Sequence, residues 1–207
     1  MTKQQKLCLG IDTASDVTSV ALIDANGSCA SACLSTPRGQ GEALMGMIQD
    51  VLGQMKKSPK DLTHIAVTIG PGSFTGVRIG LATARALGLA LKLPVFGVDN
   101  FLASAYATNK KVKVVLDSKR DDYFVQDFDT AGKALTKPSI KSTTELKALL
   151  PFLACGNGAT KLAQEIGCKV VSAPQDLAIA TAQIVLNYPK KATEPHPLYL
   201  RDADVTI

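Results

Sequence analysis

The chain has 207 residues, 46% hydrophobic and 20% charged, with a formal net charge of +5 at pH 7. These proportions exclude disordered, collagen-like and mucin-like chains, and a chain of this length buries roughly 70% of its unfolded surface without needing a metal or a disulfide. The mild positive balance is scattered, with adjacent lysines only at Lys56-Lys57, Lys110-Lys111 and Lys190-Lys191, so it reads as solvated surface charge rather than a phosphate-tracking stripe.

No uninterrupted apolar run reaches the length of a membrane span, and Met1 to Lys6 has none of the apolar core of a signal peptide. The expectation is a cytoplasmic protein with no membrane partner. Five cysteines without a Cys-x-x-Cys spacing, and two distant histidines (His64 and His196), predict reduced thiols and no metal site.

In chain order, residues 7–12, 17–23 and 28–34 predict a β-meander, its second turn built on Asn26-Gly27 as two residues of positive φ. Residues 42–55 carry Leu44, Met47, Ile48, Val51 and Leu52 at helical spacing. Ser58-Pro59-Lys60-Asp61 reads as a capped helix start, and 64–69 as a buried strand. The loop Gly70-Pro-Gly-Ser-Phe-Thr-Gly76 then leads into a helix over 77–91 that is apolar nearly all round. A strand at 94–98 and a helix at 101–107 close the first half. The second half repeats this grammar. It has strands at 113–117 and 123–128, helices at 143–150 and 160–165, strands at 152–155 and 169–171, a helix at 176–186 and an extended end. The repetition predicts two related α/β lobes, 1–106 and 107–207, whose first strands both end in aspartate, Asp12 and Asp117.

Three stretches could carry chemistry. In the glycine loop, Gly72, Ser73, Thr75 and Gly76 stand where a helix N-terminus offers unpaired N–H groups to an anion or nucleotide; a capped, tightly turned helix start explains the same residues equally well. The loop is neither a Walker loop nor a Gly-x-Gly-x-x-Gly fingerprint. Asp12 with Asp16 could position a metal or water, or simply turn the chain. Asp117 to Asp122 reads as a polar hairpin tip. In the helix over 77–91, Gly80, Ala84 and Gly88 recur every four residues. Together with Leu87, and with Met45, Met47 and Ile48 of the preceding helix, they predict a surface shared by a homodimer and a partner protein. The alternative is that Ala84 and Gly88 pack inside the lobe.

Leu9-Gly-Ile-Asp-Thr-Ala14, Ser19-Val-Ala-Leu22, Gly70 to Gly80, Gly97-Val98, Leu116-Asp117, Gly156-x-Gly158 and Pro197-Leu-Tyr-Leu-Arg201 together resemble the TsaB (YeaZ) family of bacterial tRNA threonylcarbamoyladenosine biosynthesis. The resemblance covers nearly the whole chain. It implies the two-lobe actin/sugar-kinase/Hsp70-like (ribonuclease-H-like) α/β fold and a non-catalytic role. The implied role is a scaffold or activator subunit that forms homodimers, binds a TsaD-like catalytic subunit through the first lobe and works with a TsaE-like ATPase. On this reading tRNA is met only through the complex, no cofactor is tightly bound, and ATP or ADP belongs at the partner interface. The catalytic relative's metal-binding His-x-x-x-His pair has no counterpart in this chain. The chain departs from the family pattern at Pro37-Arg-Gly-Gln-Gly41, where Gln40 stands near a usual histidine, and at Asp121, which replaces a hairpin glycine. A stand-alone ATP-dependent phosphotransferase or hydrolase of the same superfamily is the other function considered.

Overall fold

In the computed structural model the described residues are 5–35, 39–174 and 176–201. They divide into two compact units, Met1–Asp99 with Asp176–Pro197, and Asn100–Gln175 with Leu198–Ile207.

The first unit is built around β1 (Leu7–Asp12), whose six residues are all buried. An uninterrupted apolar run of this kind suits a strand with neighbours on both edges and cover on both faces. β2 (Thr18–Asp24) and β3 (Cys29–Leu34) continue from it antiparallel, while β4 (His64–Thr68) and β5 (Val95–Val98) run parallel to it, giving the order β3-β2-β1-β4-β5. The turn after β2 differs from expectation. Only Gly27 has positive φ, and Asp24 Oδ1 accepts from the N–H groups of Asn26 and Ser28. A three-residue loop with one left-handed glycine therefore replaces the two-residue hairpin.

α1 (Gln40–Gln54) lies on β2 and β3 and α2 (Phe74–Leu91) on β4, with Leu44, Ile48, Val51, Val77, Leu81 and Ala84 buried. Between α1 and β4, residues 58–61 form one 3-10 turn closed by a reciprocal Ser58–Asp61 cap. By length and composition alone α2 could cross a membrane, but its buried stripe packs on the sheet, and Arg78 and Arg85 stand on its exposed side. The other face of the sheet is covered by the last helix, α6 (Leu177–Asn187), which the lobe boundary expected from sequence assigned to the second half. The reason lies in Gly10: a side chain there would collide with the Ala178 carbonyl, so only glycine lets α6 settle onto β1. Asp176 caps this helix, its Oδ1 accepting from Ala178 N (3.0 Å) and Ile179 N (3.2 Å).

The second unit opens with α3 (Asn100–Ala105) and repeats the sheet with β6 (Val112–Asp117), β7 (Asp122–Phe128), β8 (Ser139–Ser142), β9 (Leu153–Cys155) and β10 (Lys169–Val170) in the order β8-β7-β6-β9-β10. α4 (Thr143–Lys147) and α5 (Ala159–Ile166) cover it around Val115, Tyr123, Val125, Leu146 and Leu162. The identical strand order is the duplication expected from sequence. β8 is absent from the sequence reading because its four residues are all half-buried and show no alternation, so pairing with β7 alone defines it.

Candidate functional site

Asp12 ends β1, where the chain turns away from the sheet, and is 1% exposed. Its Oδ1 accepts from Thr68 Oγ1 at 2.6 Å and from Ala14 N at 3.0 Å. Burial pushes its carboxyl above the usual carboxylate range, against the opposing pull of hydrogen bonds from Thr68, Ser15 and Ala14.

The glycine loop sits directly on this turn. Ser73 N donates to the Ala14 carbonyl at 2.8 Å, and Thr13 Oγ1 donates to the Gly76 carbonyl at 2.6 Å. A Cβ on Gly72 would overlap the Ala14 carbonyl oxygen, and one on Gly76 the Thr13 carbonyl oxygen. The room these glycines create is thus filled by the chain's own backbone. Ser73 Oγ accepts from Gly76 N at 3.1 Å, capping α2. Asp12, Gly72, Ser73 and Gly76 are therefore gathered at one place, while Thr75 faces outward on the first turn of α2. The second unit repeats the device. Gly158 N donates to the Val115 carbonyl at 3.0 Å, side chains at Gly156 and Gly158 would collide with β6, and Asn157 Oδ1 accepts from Asp117 N at 3.1 Å. At the hairpin tip, Asp122 is partly desolvated, but hydrogen bonds from Ser118 and Arg201 and the Arg201 charge hold its carboxyl below the usual range. Among the described residues no three His, Cys, Asp or Glu side chains are grouped as metal ligands.

The expected partner surface needs correction. Met47, Ile48, Gly80, Ala84 and Gly88 are buried in the first unit, and Leu87 is half-buried. Gly80 and Gly88 are small because α2 presses on Thr13 and Val95 respectively, which is close packing within the chain rather than provision for a partner. Of the seven residues Met45 is exposed, at 45%. The outward face of α2 is instead Ala82, Ala86, Leu89 and Ala90, with Leu89 83% exposed. These lie at i, i+4, i+7 and i+8, a spacing that was readable, but the small-residue repeat on the opposite side masked it. Of the departures noted in sequence, Pro37 and Arg38 lie outside the described residues. Gln40 opens α1 and Asp121 is exposed beside β7.

A family model described as "TsaD: tRNA N6-adenosine threonylcarbamoyltransferase" matches residues 36–196. The tRNA threonylcarbamoyladenosine biosynthesis protein TsaB of Escherichia coli K12 is 38% identical over 103 residues, covering 50% of this chain and 44% of that protein. Among solved structures, an uncharacterized Pseudomonas aeruginosa protein with similarity to peptidase YEAZ superposes with a TM-score of 0.76 at 20% identity, covering 95% of this chain and 100% of that one. The chain belongs to the TsaB (YeaZ) family. The stretch matched in the E. coli TsaB is less than half of that relative's length. A wider fold relative is the activator of the 2-hydroxyisocaproyl-CoA dehydratase from Clostridium difficile with bound ADPNP, at a TM-score of 0.57 and 10% identity, covering 89% of this chain and 96% of that one. Each unit of this TsaB-family chain therefore forms one lobe of the actin-like two-lobe α/β fold, each with its aspartate-ended first strand.

Proposed function

We propose that this chain is a non-catalytic scaffold subunit in tRNA threonylcarbamoyladenosine synthesis, binding a TsaD-like transferase and working beside a TsaE-like ATPase. The observation that carries the reading is the exposure of large apolar side chains on the two helices, Met45 on α1 and Leu89 among Ala82, Ala86 and Ala90 on α2. A large exposed leucine among alanines is a surface that gains by being covered, and methionine adapts to the shape that covers it. The Asp12 turn agrees with a scaffold role: its carboxylate is buried under its own hydroxyl donors and its glycines are filled by backbone.

The test is reconstitution. The chain is incubated with ATP and magnesium alone, and then with the catalytic subunit, the ATPase and tRNA. Modified adenosine should form only in the full mixture, and ATP turnover should be absent from the chain alone. Met45→Glu and Leu89→Glu should give folded protein with binding to the catalytic subunit weakened about tenfold or more, since a buried unpaired charge costs several kcal/mol. Unchanged binding by both variants would move the partner surface elsewhere.

A further inference from the structure

Lysines that lie scattered along the sequence are gathered at one end of the first unit. β1, β4 and β5 run parallel, with Cys8 beside His64 and Ile65 beside Val95, so the segments that lead into them share that end. Each of α1 and α2 links the far end of one strand to the near end of the next, and so finishes there as well. Lys6 precedes β1, Lys56 and Lys57 follow α1, Lys60 lies in the 3-10 turn before β4, and Lys92 ends α2 before β5. All five are exposed, and none is held in an ion pair with another described residue. Two of them stand where lysine is locally disfavoured. Lys56 and Lys92 have φ of 53° and 55°, the left-handed conformation in which glycine is the usual residue after a helix. Lys6 and Lys60 lie outside both helices, so compensation of helix dipoles does not explain them.

The carboxylates at this end are occupied by the chain itself. Asp24 accepts from Asn26 N, Ser28 N and Gln5 Nε2, and Asp61 Oδ2 accepts from Ser58 N and Ser58 Oγ. Asp50 is set back about one turn from the end of α1. Lys6 and Lys57 line a shared hollow with Gln5, Leu7, Asp24 and Asp61. Beside Lys6, the half-buried ring of His64 stacks on Phe96 with ring centroids 5.8 Å apart. Burial and the nearby Lys6 charge hold the His64 ring below the usual histidine pKa, so it is a neutral aromatic surface at pH 7.

The chemistry of this surface selects its ligand. Lysines are point charges that hold phosphates, whereas reading bases takes the planar fork of arginine, and no arginine among the described residues lies at this end. An anionic membrane needs apolar side chains to insert beside the charges; the stretch 56–61 here is Lys-Lys-Ser-Pro-Lys-Asp. A neutral aromatic pair next to phosphate-binding lysines suits the bases of a nucleic acid. From this convergence we infer that this end of the first unit binds the phosphate backbone of RNA without reading its sequence. The inference rests on the function proposed above for the identity of the RNA, a tRNA, and adds that this chain touches it directly.

Titration of the full chain with an unmodified tRNA transcript tests it. The wild type should bind in low salt and release the RNA as salt rises. The patch variant Lys6→Gln, Lys57→Gln, Lys60→Gln should raise the Kd about tenfold or more and lower the slope of log Kd against log salt by about 2–3. The charge-matched variant Lys110→Gln, Lys111→Gln, Lys137→Gln, exposed in the second unit, should leave both near the wild-type values. Melting temperature reports whether the patch variant folds. Should it not, Lys60→Gln alone in its exposed turn should still lower the slope by about 0.7–0.9. In the reconstituted mixture the patch variant should raise the KM for tRNA while its affinity for the catalytic subunit stays at the wild-type value. If no catalytic subunit binds the wild type, the proposed function fails, and the titration of the chain alone still decides this inference. A wild type that binds no tRNA overturns it, as does equal loss in both variants or an unchanged salt slope in the patch variant. It is equally overturned if the patch variant loses affinity for phosphatidylserine vesicles while keeping its affinity for tRNA.

Discussion

At the residue scale, Asp12 shows how a carboxylate can be kept without being offered to solvent. Its pKa is raised by burial, so its contribution to stability is fully present below the unfolded-state value of 3.8 and is lost as pH rises through the higher folded value. Asp12→Asn lacks this titration. Its stability relative to wild type should therefore be poorest in acid and improve toward neutral pH, as read from urea midpoints across pH, with tRNA modification by the reconstituted complex reduced only modestly. Complete loss of modification with unchanged partner binding would instead give Asp12 a chemical role. Asp122 behaves in the opposite sense. Its lowered pKa supplies stability above the unfolded value that fades as pH falls through the folded one. Arg201→Ala should cost about 0.5–1 kcal/mol at pH 7, given that both side chains of the pair are about a quarter exposed. The difference should shrink in strong acid, where the partner carboxyl is neutral. The cysteines divide the same way by environment: burial drives the Cys155 thiol up to about 12, which keeps it an inert packing group.

At the element scale, glycine does two different jobs, and substitution separates them. Gly76→Ala forces a methyl into the Thr13 carbonyl and should destabilise by about 1–3 kcal/mol or prevent folding. Gly46→Ala in α1 meets nothing within 4 Å on an exposed helix face and should stabilise by about 1 kcal/mol, measured by thermal unfolding. Sequence alone does not distinguish the two glycines, because what surrounds each is set by a strand far away in the chain. The same limit explains which features were legible. Apart from β8, the strands and helices of both sheets follow from their apolar periodicity, as does the position of Asp12 at a strand end. The burial of Ala84 and Gly88 does not, since α2 is apolar on nearly every side and its composition leaves open which side meets the sheet. Ala84→Arg, which would suit an exposed interface, should on this structure give insoluble protein, because Ala84 is wholly buried.

At the scale of the whole molecule, the chain leaves its first unit after Asp99 and re-enters it at Asp176. A fragment ending at residue 106 would expose the face of β1 and β2 that α6 covers, and should be insoluble, whereas the same fragment joined by a flexible linker to residues 176–197 should be soluble and cooperative in thermal unfolding. Recovery of a folded 1–106 fragment would show that α6 is dispensable. The duplication was visible in the sequence as a repeated succession of elements, though the order of strands within each sheet was not. The return of α6 was not, because a short apolar helix near the end of a chain is equally at home on either sheet. This return also sets an order of events on the ribosome. The second sheet has all its strands once Val170 has emerged, while the first, though translated earlier, still lacks a cover. At roughly 5–20 residues per second, the older half of the chain waits about 5–20 s between the synthesis of its fifth strand and the arrival of its last helix. For that interval the nascent protein presents the bare Gly10 face of a nearly finished sheet, and the half made second is the half that closes first.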